Sequence, residues 1–128
     1  MNQREIKFRA WDKKEKKMLE VLGIEYWIPQ DSKDSGNIRS VRTYQGDLFF
    51  ENIELMQFTG LKDKNGKKIY EGDIIRTISR GYRGIVTFQD GFFGMDGKYK
   101  DGMGCSMRTL SWYNGLGIEI IGNIYKLL

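Results

Sequence analysis

Sixteen glycines against a single proline, Pro29, are spread through 128 residues, and they cut the apolar sequence into short runs. Glycine accepts a positive φ without steric cost, so a chain punctuated this way is built for tight turns. Long helices are weakened by such spacing, whereas short strands joined by turns require it. Hydrophobic residues make up 40% and aromatics 13% of the chain, enough apolar mass for a core and too much for a disordered segment. The length fits one domain. The expectation is a mostly β protein: a small barrel-like or sandwich domain of short strands joined by glycine turns, with little helix.

Ile6 to Trp11 alternates strictly, with Ile6, Phe8 and Ala10 on one face and Lys7, Arg9 and Trp11 on the other, the pattern of a half-buried strand. The polar run Asp12 to Lys17 and then Met18 to Leu22 complete a hairpin. A helix capped at Asp12 with Glu15 as its capping-box partner ranks second, because its first turn would be almost wholly charged. Pro29 to Asn37 is a polar, turn-forming cluster, and residues 29–47 read as a long exposed loop. Leu48 to Met56 fits strands or one short helical turn. Asn65-Gly66 marks a hairpin between a strand ending near Leu61 and one starting near Lys68, with positive φ at both residues of a type I′ turn. Gly72 and Asp73 form a turn into the strand Ile74–Ile78, with Asp73 bonding a backbone N–H. Ser79 to Gly84 reads as a glycine loop, Ile85–Phe88 and Phe92-Phe93 as a hairpin about Asp90-Gly91, Met95 to Ser106 as loop, Thr109 to Tyr113 as a strand, and Ile118 to Tyr125 as a last β run. One domain over 1–128 is expected, with a hairpin arm (1–28), the polar loop (29–47) and a β-rich core (48–128). Phe8, Tyr70, Phe88 and Trp112 are expected in that core.

The charge is local. Arg4 to Lys17 holds seven basic and three acidic residues, a surplus equal to the whole chain's net charge of +4. Lys7, Arg9, Lys13, Lys14, Lys16 and Lys17 are therefore candidate contacts for nucleic acid or another acidic partner, or else a charged face that keeps an edge strand soluble. The alternation places these cations in solvent while Ile6, Phe8 and Ala10 face the core. Arg80, Tyr82 and Arg83, near Arg76 around the glycine loop, form a second candidate for nucleic-acid contact, since small barrels bind single strands through cations and stacking aromatics.

Catalytic chemistry finds few residues to work with. The chain has no histidine, which removes Ser-His-Asp and Cys-His arrangements and imidazole metal ligands. Cys105 is alone, so no disulfide forms within the chain and a cytoplasmic setting is expected. It reads as an ordinary small residue, and Cys105→Ser is expected to leave folding and binding intact. Gly102-Met103-Gly104 and Gly115-Leu116-Gly117 lack the third glycine of a dinucleotide-binding turn. Glu71 and Asp73 could form an acid–base pair, but they read as turn residues. No apolar run is long enough to span a bilayer. The expectation is no enzyme, no cofactor, no metal and no membrane.

Several segments together resemble one family. Ile6 to Asp12, Leu55 to Gly66, Lys68 to Ile75 and Ile120 to Tyr125 are similar, in order and spacing, to the opening, central and closing motifs of YopX-type proteins. Residues 23–47 and 92–117 carry no such motif. The resemblance implies a small protein encoded by a phage or prophage, and it carries over no catalytic residue. Binding of another macromolecule is then the expected role, with a protein as the first choice of partner, nucleic acid the second, and an enzyme with a carboxylate-based site the third.

Overall fold

The computed structural model describes residues 3–27, 37–98 and 108–127. The protein is mostly β and its strands pair antiparallel, with one short α-helix among the described residues. The chain separates into two compact units, Lys7–Gln57 and Met1–Ile6 with Phe58–Leu128.

The first unit carries β1 (Phe8–Asp12), β2 (Lys17–Glu20), β3 (Gly23–Trp27), β4 (Asn37–Thr43), β5 (Gly46–Phe49), a 3-10 turn (Phe50–Asn52) and the start of β6 (Ile53–Lys62). β1 lies between β2 and β6, with Ala10 opposite both Leu19 and Leu55. The N-terminal hairpin is thus no arm: β1 is a middle strand. Asp12 holds its turn, its Oδ1 accepting the N–H groups of Lys14 (3.0 Å) and Glu15 (3.2 Å), and Lys16 takes a φ of 56°. β3, β4 and β5 form a three-stranded sheet in that order. Ala10, Val41 and Ile53 are buried, with Val21, Ile24, Ile38, Leu48 and Leu55 packed half-buried around them.

The polar loop expected over 29–47 is corrected from Asn37 onward, where the chain is strand; residues 28–36 lie outside the described residues. Ile38 and Val41 are three apart and break a period of two. The pairing shifts between Glu25↔Ser40 and Tyr26↔Ile38, leaving Arg39 as the extra residue of a bulge. That bulge re-phases β4, so that both apolar residues reach one cluster. Likewise Ile6 is 60% exposed rather than core-facing.

The second unit continues β6 and adds β7 (Lys68–Tyr70), β8 (Asp73–Thr77), β9 (Arg83–Gln89), β10 (Phe92–Lys98), β11 (Arg108–Thr109), α1 (Leu110–Asn114), β12 (Ile118–Asn123) and β13 (Lys126–Leu127). Its large sheet runs β11-β10-β9-β8-β12-β13. Ile75, Val86, Met95, Ile118 and Ile120 pack from the strands against Ile69, Tyr82, Leu110 and Tyr113. Tyr113 meets Tyr82 and Trp112 edge-on at 5.7 and 5.0 Å between centroids, a favoured aromatic arrangement.

Three local expectations are overturned here. Arg83 and Gly84 belong to β9 rather than to a loop, and Met95 to Lys98 belong to β10. A Cβ on Gly84 would lie 2.3 Å from the Asp96 carbonyl oxygen and 2.7 Å from Met95 Cγ, so this glycine marks close strand approach, not a turn. Leu110–Asn114 is helix, because Thr109 Oγ1 accepts the Trp112 N–H (3.3 Å) and caps it. Phe88 and Trp112 are 55% and 40% exposed and are not core, while Phe8 and Tyr70 are half-buried.

The turns are informative. Asp90-Gly91 has positive φ at both residues (54° and 83°), as a two-residue I′ hairpin requires. At Asn65-Gly66 only the glycine is positive (81°), so the hairpin stands but its turn is not type I′. Asp63 builds it instead: its Oδ1 accepts the N–H groups of Asn65 and Lys67, both at 2.9 Å, and its Oδ2 accepts the N–H of Ile120 (3.2 Å). Burial raises the Asp63 carboxyl, but the N–H groups of Lys67, Ile120 and Asn65 and the Lys67 charge outweigh it and hold it below its ordinary value. Gly72 (φ 83°) and Asp73 form the expected turn, with Asp73 Oδ2 accepting the Tyr70 N–H at 2.8 Å.

Candidate binding surfaces

The basic hairpin exposes Lys13, Lys14, Lys16 and Lys17, as its sequence requires. Its charge is partly cancelled. Lys7 is half-buried and pairs with Glu20 at 2.7 Å, and Lys13 reaches Glu54 at 3.4 Å. Lys13 Nζ also donates to the Glu51 carbonyl, and Lys17 Nζ to Gln45 Oε1, both at 3.3 Å. Arg9 is half-buried and engaged rather than presented to solvent. The six cations expected as one patch are therefore not brought together as a single free surface.

The β8–β9 hairpin is better organised. Arg80 and Gly81 both have positive φ (68° and 64°), placing Arg80 at the tip of a tight turn. The Thr77 N–H donates to the Tyr82 carbonyl (2.8 Å), the Tyr82 N–H to Thr77 Oγ1 (2.9 Å), and Thr77 Oγ1 to the Ser79 carbonyl (2.7 Å). The Ile78 and Ser79 N–H groups donate to Gly117 and Leu116, so the loop is pinned. Tyr82 is 6% exposed and packs in the core, so its expected role as a nucleic-acid contact is corrected.

Outside the sheet, Arg76 stands opposite Arg83 on one side and Glu119 on the other. Arg76 holds the Glu119 carboxylate at 2.6 Å (Nη2) and 2.8 Å (Nε), and Lys64 reaches it at 3.7 Å. The Arg76 hydrogen bond and the two positive charges keep the Glu119 carboxyl below its ordinary value. Arg76, Thr77, Ile78, Gly81 and Arg83 line a depression of about 280 Å³.

A third surface escaped sequence reasoning. On the outer face of β3–β4–β5, Ser40 sits between Glu25 and Phe49. A small residue on the middle strand flanked by larger ones makes a trough. Two depressions of about 270 and 230 Å³ share Glu25, Ser40 and Asp47 as lining. By alternation Trp27 lies on the Glu25 side of the strand, and it and Phe49 are each 57% exposed. Charges of both signs frame the trough, with Arg39–Glu25 at 3.7 Å and Arg42–Asp47 at 3.4 Å.

Among the described residues no cluster of three or more His, Cys, Asp or Glu is placed to hold a metal ion, and no helix is long and apolar enough to cross a membrane. Cys105 lies outside the described residues.

The fold and these surfaces define a small antiparallel β protein of two compact units. The sequence pattern of the YopX protein family matches residues 7–127, and the chain belongs to that family. Among solved structures it is similar to the crystal structure of protein EF1440 from Enterococcus faecalis, at 28% identity and a TM-score of 0.55 over 96% of this chain and 95% of that one. A search of curated proteins gives no match.

Proposed function

We propose that this chain is a non-enzymatic phage or prophage accessory protein that acts in the host cytoplasm by binding another protein, through the outer face of β3–β4–β5. One observation carries the choice of surface: Phe49, more than half exposed, lines a trough floored by Ser40, and Trp27, equally exposed, lies on the same side of β3 as Glu25. Rigid aromatics beside a concavity are the usual anchors of protein interfaces. The ion pairs around the trough balance in sign, so the surface collects neither cations nor anions and suits a neutral, partly apolar partner. β3 and β5 are edge strands of their sheet, and an extended segment of the partner can add to either.

The test is cross-linked affinity capture from host cells carrying the phage or prophage, with wild type beside a Trp27→Ser/Phe49→Ser variant. Capture of a defined protein by the wild type and its loss in the variant is the expected outcome. Equal capture by both would remove this face from the function. Reversing Lys13, Lys14, Lys16 and Lys17 to Glu in the same assay separates the hairpin's two roles: unchanged capture leaves it a device against edge-to-edge pairing.

A further inference from the structure

We propose a second, independent site: the depression between Arg76 and Arg83 on the outer face of β8–β9–β12 binds the phosphate backbone of a single-stranded nucleic acid. Two guanidinium side chains stand directly opposite each other across β8 and β9, an arrangement that is unfavourable unless an anion is shared between them. Glu119 neutralises only one side. It takes both Arg76 contacts and Lys64, so one carboxylate serves two cations. Arg83 and Arg80 are exposed and form no ion pair among the described residues. Among the described residues the site therefore carries a positive surplus.

Arg76 and Arg83 stand side by side on β8 and β9, strands that lie ~4.8 Å apart, and Lys64, in the turn after β6, reaches the Glu119 carboxylate on the other side of Arg76. Neighbouring guanidinium groups suit a phosphate-bearing chain, because they bind phosphate oxygens in pairs. Gly81 opens the wall of the depression, and Ile78, 55% exposed, offers an apolar contact beside it for a sugar or base.

The probe is a fluorescently labelled oligothymidylate of about a dozen nucleotides, within the usual site sizes of small β folds, followed by anisotropy across a salt series. Binding that weakens with salt is expected. Arg83→Gln should weaken it several-fold and lower the log–log salt slope by about 0.7, one phosphate contact. Arg80→Gln should act in the same direction, while Lys14→Gln/Lys16→Gln on the basic hairpin should change nothing. Circular dichroism of each exposed-site variant verifies folding. Absence of binding at low salt, an unchanged Arg83→Gln, or equally tight binding of a polyglutamate peptide would overturn the proposal. None of these outcomes bears on the Trp27 and Phe49 surface, whose variants are measured separately.

Discussion

The two units bury their apolar residues to different degrees. In the second, Ile75, Met95, Leu110, Tyr113 and Ile118 are 2% exposed or less and interlock in one cluster. In the first, the buried apolar residues are Ala10, Leu19, Val41, Ile53 and Met56, and the cluster of Ala10, Val41 and Ile53 has half-buried surroundings. Tyr26, Trp27, Tyr44, Phe49 and Phe50 in that unit remain 44% to 80% exposed. Area hidden from water stabilises a fold at roughly 25 cal/mol per Å²; area left outside does not, and is available to a partner. Among the described residues the first unit leaves more large aromatics outside than the second, where Phe88 and Trp112 are the exposed ones.

The comparison breaks or sharpens under mutation. Truncating Leu110→Ala should cost about 4 kcal/mol, because a dense cluster cannot collapse onto the cavity, whereas Ile53→Ala should cost nearer 2 kcal/mol where half-open surroundings relax. Hydrogen exchange of each unit reads the two losses separately, and equal losses would erase the contrast. Gly84→Ala should cost about 3 kcal/mol, since its methyl would meet a backbone oxygen that cannot rotate away; a chemical-denaturation midpoint within error of wild type would show that β9 and β10 yield.

Asp63→Ala should cost about 2 kcal/mol by orphaning three N–H groups. The same carboxylate sets a pH dependence. Its folded pKa lies below its unfolded value, so its contribution is complete above the unfolded value and fades as pH falls through the folded one. Acid melting curves of wild type and Asp63→Asn should therefore converge at low pH. Gly66→Val should cost about 1 kcal/mol for placing a β-branched residue at φ 81°, with open space around its Cβ. Smallest of all, reversing Lys14 or Lys16 to Glu should move stability by under ~0.5 kcal/mol, as both are exposed.

What the sequence made legible follows the same division. Glycine-bounded apolar runs, such as Ile74–Ile78 and Ile85–Phe88 about Asp90-Gly91, were readable as strands, although Phe88, expected in the core, is 55% exposed. β4 was not, since the Arg39 bulge spaces Ile38 and Val41 by three. Gly84 imitated a loop residue while serving close packing, and Thr109 turned an expected strand into a capped helical turn. Among site residues, Arg80 and Arg83 could be picked out because charge beside glycine stands out. Tyr82 could not be separated from them, as burial of a loop tyrosine is decided by Trp112 and Tyr113 thirty residues on. The trough at Ser40 depends on register between three strands, which no single segment encodes.

The order β9-β8-β12 has a consequence for the nascent chain. β8 waits for a partner that is translated some forty residues later, and Asp63 waits longer still for the Ile120 N–H. Within residues 7–57, β1 pairs with β2 and the start of β6, and β4 with β3 and β5, so these pairings have their partners earlier in synthesis. The second unit keeps one edge of β8 unpaired until Ile118–Asn123 emerges, so its folding is a near-terminal event in synthesis, and a stop codon before Ile118 should yield a product prone to degradation despite losing only the last few strands.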